Sequence, residues 1–256
     1  MELSNDLTAL VTGAAAGIGR ATALTFAAQG ANVVVSDVNA EGGKETVALI
    51  EQAGGTALFV HADVSNPTDV DALIAKTVAS FGKLDCAVNN AGIEGKISAF
   101  AEQPENNFDT IIAVNLKGTF LCLQAEIEAM QKTGGGAIVN LASIAGLIGF
   151  PGLSPYVASK HGVIGLTKNA ALEYATSDIR VNAVCPGGVD TRMLDSLADQ
   201  STGGTQTSTE MMAPLHPMGR IGTPQEIANL IVWLCSPLAA FVTGTAIPID
   251  GGYVAQ

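Results

Sequence analysis

T-A-L-V-T-G-A-A-A-G-I-G, residues Thr8–Gly19, is the stretch on which the reading of this chain turns. A short apolar run with β-type residues enters glycines at 13, 17 and 19, and a segment of helical composition follows. A strand that bends sharply into a helix uses glycine at the bend. Glycine also lets backbone N–H groups approach an anion at the helix N-terminus. The spacing is G-x-x-x-G-x-G rather than the G-x-G-x-x-G of the usual dinucleotide fingerprint, and glycine-rich turns also form for packing alone.

Further along, the same unit recurs. Strands are expected at Thr8–Thr12, Asn32–Ser36, Ala57–His61, Leu84–Asn89, Ala137–Leu141, Arg180–Val184 and Ala246–Ile249. Most are near-continuous apolar runs, the pattern of strands covered on both faces. Helical spacing fills Gly17–Gln29, Ala40–Ala53, Asn66–Phe81, a long stretch from about Asn106 to Lys132, Tyr156–Thr176 and Thr223–Cys235. Ser65 ahead of Pro67 and Thr223 ahead of Pro224 read as helix starts. This rhythm predicts an α/β protein: one Rossmann-like domain over residues 1–256, with a doubly wound sheet of about seven parallel strands and helices on both faces. One segment departs from it. Asp195–Pro217 contains the polar, glycine-rich S-T-G-G-T-Q-T-S-T, so a mobile loop at about 190–217 is expected to cover a site.

Composition excludes several function classes. Twelve Lys and Arg stand against 24 Asp and Glu, a formal balance of −12, and no basic run occurs. Such a chain repels phosphate backbones and anionic membranes, so neither nucleic acid nor membrane is expected as a partner. The start, M-E-L-S-N-D, lacks the basic region and apolar core of a signal peptide, and no uninterrupted apolar run reaches about 18–20 residues. Cys86, Cys122, Cys185 and Cys235 are scattered, with no C-x-x-C, and read as buried reduced thiols. His61, His161 and His216 are equally dispersed, so spacing indicates no metal site. A soluble cytoplasmic protein is expected. With 48% apolar and only 14% charged residues, self-association is expected too.

The strand ends carry the candidate chemistry. Asp37 closes V-V-V-S-D, 24 positions after Gly13. A carboxylate there can accept from both ribose hydroxyls of an adenosine and would repel a 2′-phosphate. A solvated strand-end Asp is the plain alternative. Combined with the glycines, Asp37 favours NAD(H) over NADP(H), and Ser36, Val38 and Asn39 offer a phosphate no cation. Asp63-Val64 follows the third strand, where Asp63 can bond an adenine amino group or cap the next helix. Asn89-Asn90-Ala91-Gly92 follows the fourth, where small residues and amides can pass beside a cofactor or build a turn. All lie at carboxyl ends of strands, the edge where open α/β sheets bind ligands.

Ser143 ends the fifth strand at the same edge, and P-Y-V-A-S-K-H-G follows, with Tyr156 and Lys160 one helical turn apart. Singly, each has an ordinary role as a turn cap, a packed ring or a solvated cation. Together they form an acid–base device. A phenol has an ordinary pKa of about 10, and a nearby ammonium lowers it by favouring the phenolate. A serine hydroxyl can then hold a substrate oxygen against that phenol.

With T12-G-A-A-A-G-I-G19, D63-V64, N89-N-A-G92, V114-N115, Ser143, Y156-V-A-S-K160 and P186-G-G-V-D-T191 in this order, the chain resembles the short-chain dehydrogenase/reductase family over essentially its whole length. The resemblance implies that Tyr156 is the general acid/base, that Lys160 tunes it and bonds the nicotinamide ribose, and that Ser143 orients the substrate oxygen. It implies that Asn115 bends its helix and holds a water linking Lys160 to solvent. It implies a cofactor cradle of Gly13, Gly17, Ile18, Gly19, Asp37, Asp63, Val64, Asn90, Ala91, Gly92, Tyr156, Lys160, Pro186 and Gly187, with Val189 and Thr191 at the carboxamide. A homotetramer is implied as well, joined through the helices around Asn115 and Tyr156, with Ala158, Ala170 and Ala171 permitting close contact.

The expected pocket walls are Ile144, Ala145 and Phe150–Leu153, with Glu94–Ile97 and the 195–217 segment. They are mostly small or apolar, Glu94 and Lys96 excepted, and no Arg or Lys cluster can grip a phosphate or carboxylate. A small or medium, mostly uncharged secondary alcohol or ketone is therefore expected. The alternative is a reductase of 3-oxoacyl groups on acyl carrier protein. Such relatives use NADPH and a basic docking patch, against which stand Asp37, the −12 balance, and Ala137 in place of their usual Arg. A non-catalytic NAD-binding scaffold would be favoured had Tyr156, Lys160 or Ser143 been missing, and all three are present.

Overall fold

The structure, a computed structural model, describes residues 6–256. Strands β1 (Thr8–Thr12), β2 (Asn32–Asp37), β3 (Thr56–His61), β4 (Cys86–Asn89), β5 (Gly136–Leu141), β6 (Ile179–Pro186) and β7 (Ala246–Ile249) form one sheet in the order β3-β2-β1-β4-β5-β6-β7. Every pair is parallel. The chain runs outward from β1 to β3 and then crosses back to β4. The order therefore reverses between β1 and β4, where a crevice opens at the carboxyl edge.

Apolar continuity in the strands has a simple cause. Ala9, Val11, Val33 and Val35 face one layer, packing with Phe26 of α1 (Gly17–Ala28), Ile50 of α2 (Ala40–Gln52), and Ile227 and Ile231 of α9 (Pro224–Cys235). Leu10, Val34 and Ile138 face the other. They pack with Leu73 of α3 (Pro67–Phe81), Leu123, Ile127 and Met130 of α5 (Gly118–Thr133), and Ala170 and Ala171 of α6 (Ser154–Tyr174). Phe26, Ile50, Leu73 and Ile231 are fully buried, each contributing about 1.5–3 kcal/mol.

Several local expectations change. The cap of α3 is Asn66, whose side chain accepts from the Thr68 N–H; Ser65 instead bonds Asp63. Thr223 does cap α9, in a capping box with Glu226. Ala170 and Ala171 are buried against their own sheet and are not available for contact between subunits, whereas Ala158 is exposed. Ala137 lies buried within β5, so it carries no information about a docking surface.

The long helical stretch is three pieces: α4 (Glu105–Ile111), a π-helical segment (Ile112–Lys117) and α5. By length and composition Glu105–Thr133 is apolar enough to span a bilayer, yet Leu123, Ile127 and Met130 bury it against the sheet. The segment expected as a loop is largely helical, forming α7 (Arg192–Thr202) and α8 (Ser208–Met212). Thr191 caps α7. T-S-T-E at 207–210 makes a capping box that starts α8.

A polar seam crosses one face of the sheet. Asn89 Nδ2 donates to Glu126 Oε2 at 2.9 Å and to Asn140 Oδ1 at 3.0 Å, and Asn140 Nδ2 donates to Thr167 Oγ1 at 2.9 Å. Asn89 Oδ1 and Glu126 Oε1 are buried without a protein partner. A buried carboxyl oxygen that meets no donor favours a protonated Glu126, because burial penalises the charged form. Burial pushes its carboxyl up to about 7. A carboxyl whose folded pKa is raised holds more protons folded than unfolded, so stability falls as pH rises from about 4.5 to 7 and then levels off. Glu126→Gln should abolish that fall and stabilise the protein at pH 8 by up to about 3 kcal/mol, read as a difference between melting curves at pH 5 and pH 8.

Candidate active site

The carboxyl ends of β1, β4, β5 and β6 surround a cavity of about 160 Å³. Of the residues expected from sequence, it brings together Ile18, Asn90, Gly92, Ser143, Tyr156, Lys160, Pro186, Gly187, Val189 and Thr191. Asn115 stands just behind, close to Gly92. Gly13, Gly17, Gly19, Asp37, Asp63, Val64 and Ala91 lie outside this cavity.

The β1–α1 turn explains its glycines individually. Gly13 has φ +64°, and a Cβ there would come within 2.8 Å of Ala91 Cα. A Cβ on Gly19 would collide with the Gly13 carbonyl and Asn90 Nδ2. These two glycines serve the protein's own packing. Gly17, at φ +53°, lies against the Thr191 side chain, whose Cγ2 would stand 3.3 Å from an added Cβ. No side chain caps α1, so its first N–H groups remain for an outside acceptor.

Asp37 braces the same turn, accepting from the Ala15 N–H through Oδ2 and the Asn39 N–H through Oδ1, each at 2.9 Å. Each oxygen keeps lone pairs for further donors. Asp63 is occupied with Ser65, and Val64 packs with Val70 and Cys122 below α5. Asn90 Nδ2 donates to the Thr12 and Gly13 carbonyls, both at 2.9 Å, so its side chain braces the turn. The uncapped helix start, the side-chain-free turn at Gly17 and the Asp37 carboxylate beside it fit a nicotinamide dinucleotide. Such a group supplies or accepts a hydride when bound.

Asn115 lies in the π-helical segment Ile112–Lys117. Its amide clasps the Ile93 backbone, Oδ1 accepting and Nδ2 donating at 2.9 Å each, and contacts Ser159 Oγ at 3.3 Å. Lys160 is buried, donates to the Leu141 carbonyl at 2.6 Å, and lies 5.5 Å from the Tyr156 ring centroid. Burial pulls its ammonium down to about 8.

The expected lowering of the phenol is not what the free protein shows. Burial pushes Tyr156 up to about 12, a hydrogen bond from Ser143 works against that rise, and the Glu94 charge adds to it. Loss of hydration outweighs any help from the ammonium. The free protein thus holds a protonated phenol, ready to donate.

The apolar wall was the least visible from sequence. Met193, Leu194, Leu197 and Met212, on α7 and α8, complete the cavity with Phe150 and Leu153. His216, which spacing left without a role, ties this lid to the floor. Its Nε2 accepts from the Gly188 N–H at 3.0 Å, so Nδ1 carries the proton and donates to the Met212 carbonyl at 2.8 Å. Gln200 links α7 to the segment after β4 through Ile97 N–H and the Gly95 carbonyl. Pro151, Gly152 and Glu94–Ile97 do not line the cavity.

A family model described as enoyl-(acyl carrier protein) reductase matches residues 13–254. A cyclohexanol dehydrogenase from an Acinetobacter strain is 44% identical over 252 residues, 98% of this chain and 96% of that protein. The chain belongs to the short-chain dehydrogenase/reductase family. Also similar is a 2,5-dichloro-2,5-cyclohexadiene-1,4-diol dehydrogenase of Sphingobium indicum, 44% identical over 97% of each chain. A 3-oxoacyl-[acyl-carrier-protein] reductase of Thermotoga maritima reaches 41% over 96% of each. A crystal structure of levodione reductase superposes with a TM-score of 0.95 at 38% identity, covering 98% of both chains. This short-chain dehydrogenase/reductase is an oxidoreductase of small-molecule alcohols and ketones, from a family that generally uses nicotinamide cofactors.

With proton transfer at the phenol, Tyr156→Phe should lower turnover by about 10²–10⁴-fold while leaving dinucleotide affinity within a few-fold, measured by steady-state rates and fluorescence titration. Ser143→Ala removes the bond that favours the phenolate. The rising limb of its alcohol-oxidation pH profile should therefore move to higher pH.

Proposed function

We propose that this protein is an NAD(H)-dependent dehydrogenase that interconverts a small or medium, mostly uncharged secondary alcohol, carried on a ring, with its ketone. One observation carries the reading. Ser143, Tyr156 and Lys160 meet in a cavity whose remaining walls are apolar. In ketone reduction the Tyr156 hydroxyl gives its proton to the carbonyl oxygen as hydride reaches the carbon; in alcohol oxidation the phenolate takes the hydroxyl proton. Ser143 orients that oxygen, and Lys160 favours the phenolate and holds the nicotinamide ribose. Asn115 supports Lys160 through a water. The relatives that act on cyclohexanol and a cyclohexadienediol support a ring.

Preference for NAD(H) rests on Asp37, whose carboxylate would meet a 2′-phosphate with like charge. Arg20, which follows Gly19, is already engaged by Thr46 and the Glu45 carboxylate. Asp63, Val64, Ala91, Val189 and Thr191 contribute cofactor contacts in this reading. Four free, buried cysteines support a reducing, cytoplasmic setting, and exposed Phe108, Phe120 and Leu172 support assembly into a homotetramer.

The carrier-protein reductase reading is disfavoured by Asp37 and the −12 balance alone. A panel of alcohols and ketones followed through NADH absorbance tests the activity. A ring alcohol should be oxidised with kcat/KM about 100-fold higher with NAD than with NADP. A preference for NADP, or for acyl carrier protein thioesters over free ketones, would overturn it.

A further inference from the structure

His216 is the one buried histidine among the described residues, 3% exposed, just past a 3-10 turn (Ala213–Leu215) that follows α8. Both ring nitrogens are engaged. Nε2 accepts from the Gly188 N–H at the end of β6, and Nδ1 donates to the Met212 carbonyl in the lid. The ring also meets the Tyr253 ring edge-on, centroids 5.2 Å apart, and Tyr253 leans on Phe150 at 5.9 Å. Gly187, Gly188, Met212 and Phe150 all line the cavity, whereas His216 stands outside it. One side chain therefore braces a floor, a lid and a wall.

The glycine pair makes room for this ring. A Cβ on Gly187 would come within 2.7 Å of Nε2, and a Cβ on Gly188 within 3.0 Å of Cε1. The other polar groups here turn away from the lid: the Gly187 N–H donates to the Ile249 carbonyl at 3.2 Å, and the Gly188 carbonyl accepts from the Gly222 N–H at 2.8 Å. Among the described residues, hydrogen bonding joins this strand end to α8 through the imidazole. Removing the ring leaves a donor on one segment and an acceptor on the other without partners. We propose that His216 is a positioning residue that couples dinucleotide to substrate. A nicotinamide seated on Gly187–Gly188 restrains the Gly188 N–H, and the imidazole passes that restraint to Met212. The lid wall is then already ordered when the alcohol arrives, so bound dinucleotide tightens alcohol binding. This rests on the dehydrogenase reading above and adds a cooperativity to it.

NADH and cyclohexanol are both reduced, so together they form a ternary complex without turnover. Coupling is reciprocal, and NADH fluorescence titration with and without saturating cyclohexanol reads its factor. The alcohol should tighten NADH binding by about 10-fold in the unaltered protein. His216→Leu should cut the factor to about 2-fold or less, the remainder arising from direct contact between the two ligands. His216→Gln carries an acceptor and a donor with the reach of the ring and should keep most of the factor. His216→Asn is too short to reach both partners and should behave like His216→Leu. Melting curves establish that each variant is folded; if His216→Leu is not, the Gln and Asn variants carry the test. Absence of coupling in the unaltered protein, or coupling that survives in His216→Asn, would overturn the assignment. Equal loss in the Gln and Asn variants would overturn it in favour of a ring that only fills space. Failure of NADH or cyclohexanol to bind the unaltered protein would instead sink the dehydrogenase reading, and this one with it.

Discussion

The site depends on one carboxamide. Asn90 Nδ2 reaches from the end of β4 to the carbonyls of Thr12 and Gly13 at the end of β1. The backbone N–H groups of Asn90 and Ala91 return to Thr12 Oγ1 at 3.1 and 3.2 Å. These bonds cross the point where the strand order reverses, the place where a parallel sheet opens its crevice. They hold the glycine turn against the β4 loop so closely that neither Gly13 nor Gly19 can carry a side chain. Cofactor turn and substrate loop are consequently one rigid unit.

Tyr156 and Lys160 show two physical effects in opposition. Enclosure strips water from the phenol and raises it, while a Ser143 bond lowers it. The same enclosure destabilises the Lys160 ammonium, which answers with a short bond to the Leu141 carbonyl. The phenol of this pair is neutral in the free protein, while the ammonium stays charged below about pH 8. That suits donation of a proton to a carbonyl better than abstraction of one from an alcohol, and it makes the pair sensitive to any charge introduced into the cavity.

Most of the architecture was legible because its causes are local. Alternate residues of β1 and β2 feed two apolar layers, so the runs looked continuous, and the positions of Gly13, Asp37 and Ser143 followed from strand ends. What escaped depends on distant partners. Ala170 and Ala171 looked like subunit contacts because a sequence does not say which side of a helix meets its own sheet. Arg192–Met212 looked like a loop because its glycines outweighed Thr191 and T-S-T-E, although the capping box at Thr207 was readable. His216 gave no signal at all, since its partners, Met212 and Gly188, are backbone groups.

Those missed residues determine how the site is closed. Apolar side chains from α7 and α8 exclude water from the phenol. The imidazole of His216 and the amide of Gln200 fasten them to the β6 end and the β4 loop. Within such an enclosure a charge is weakly screened, so the Lys160 ammonium acts on the phenol more strongly than it would at a surface. An apolar lid alone would accept any ring of the right size. Polar contacts at the reacting end are then left to Ser143, Tyr156 and Lys160.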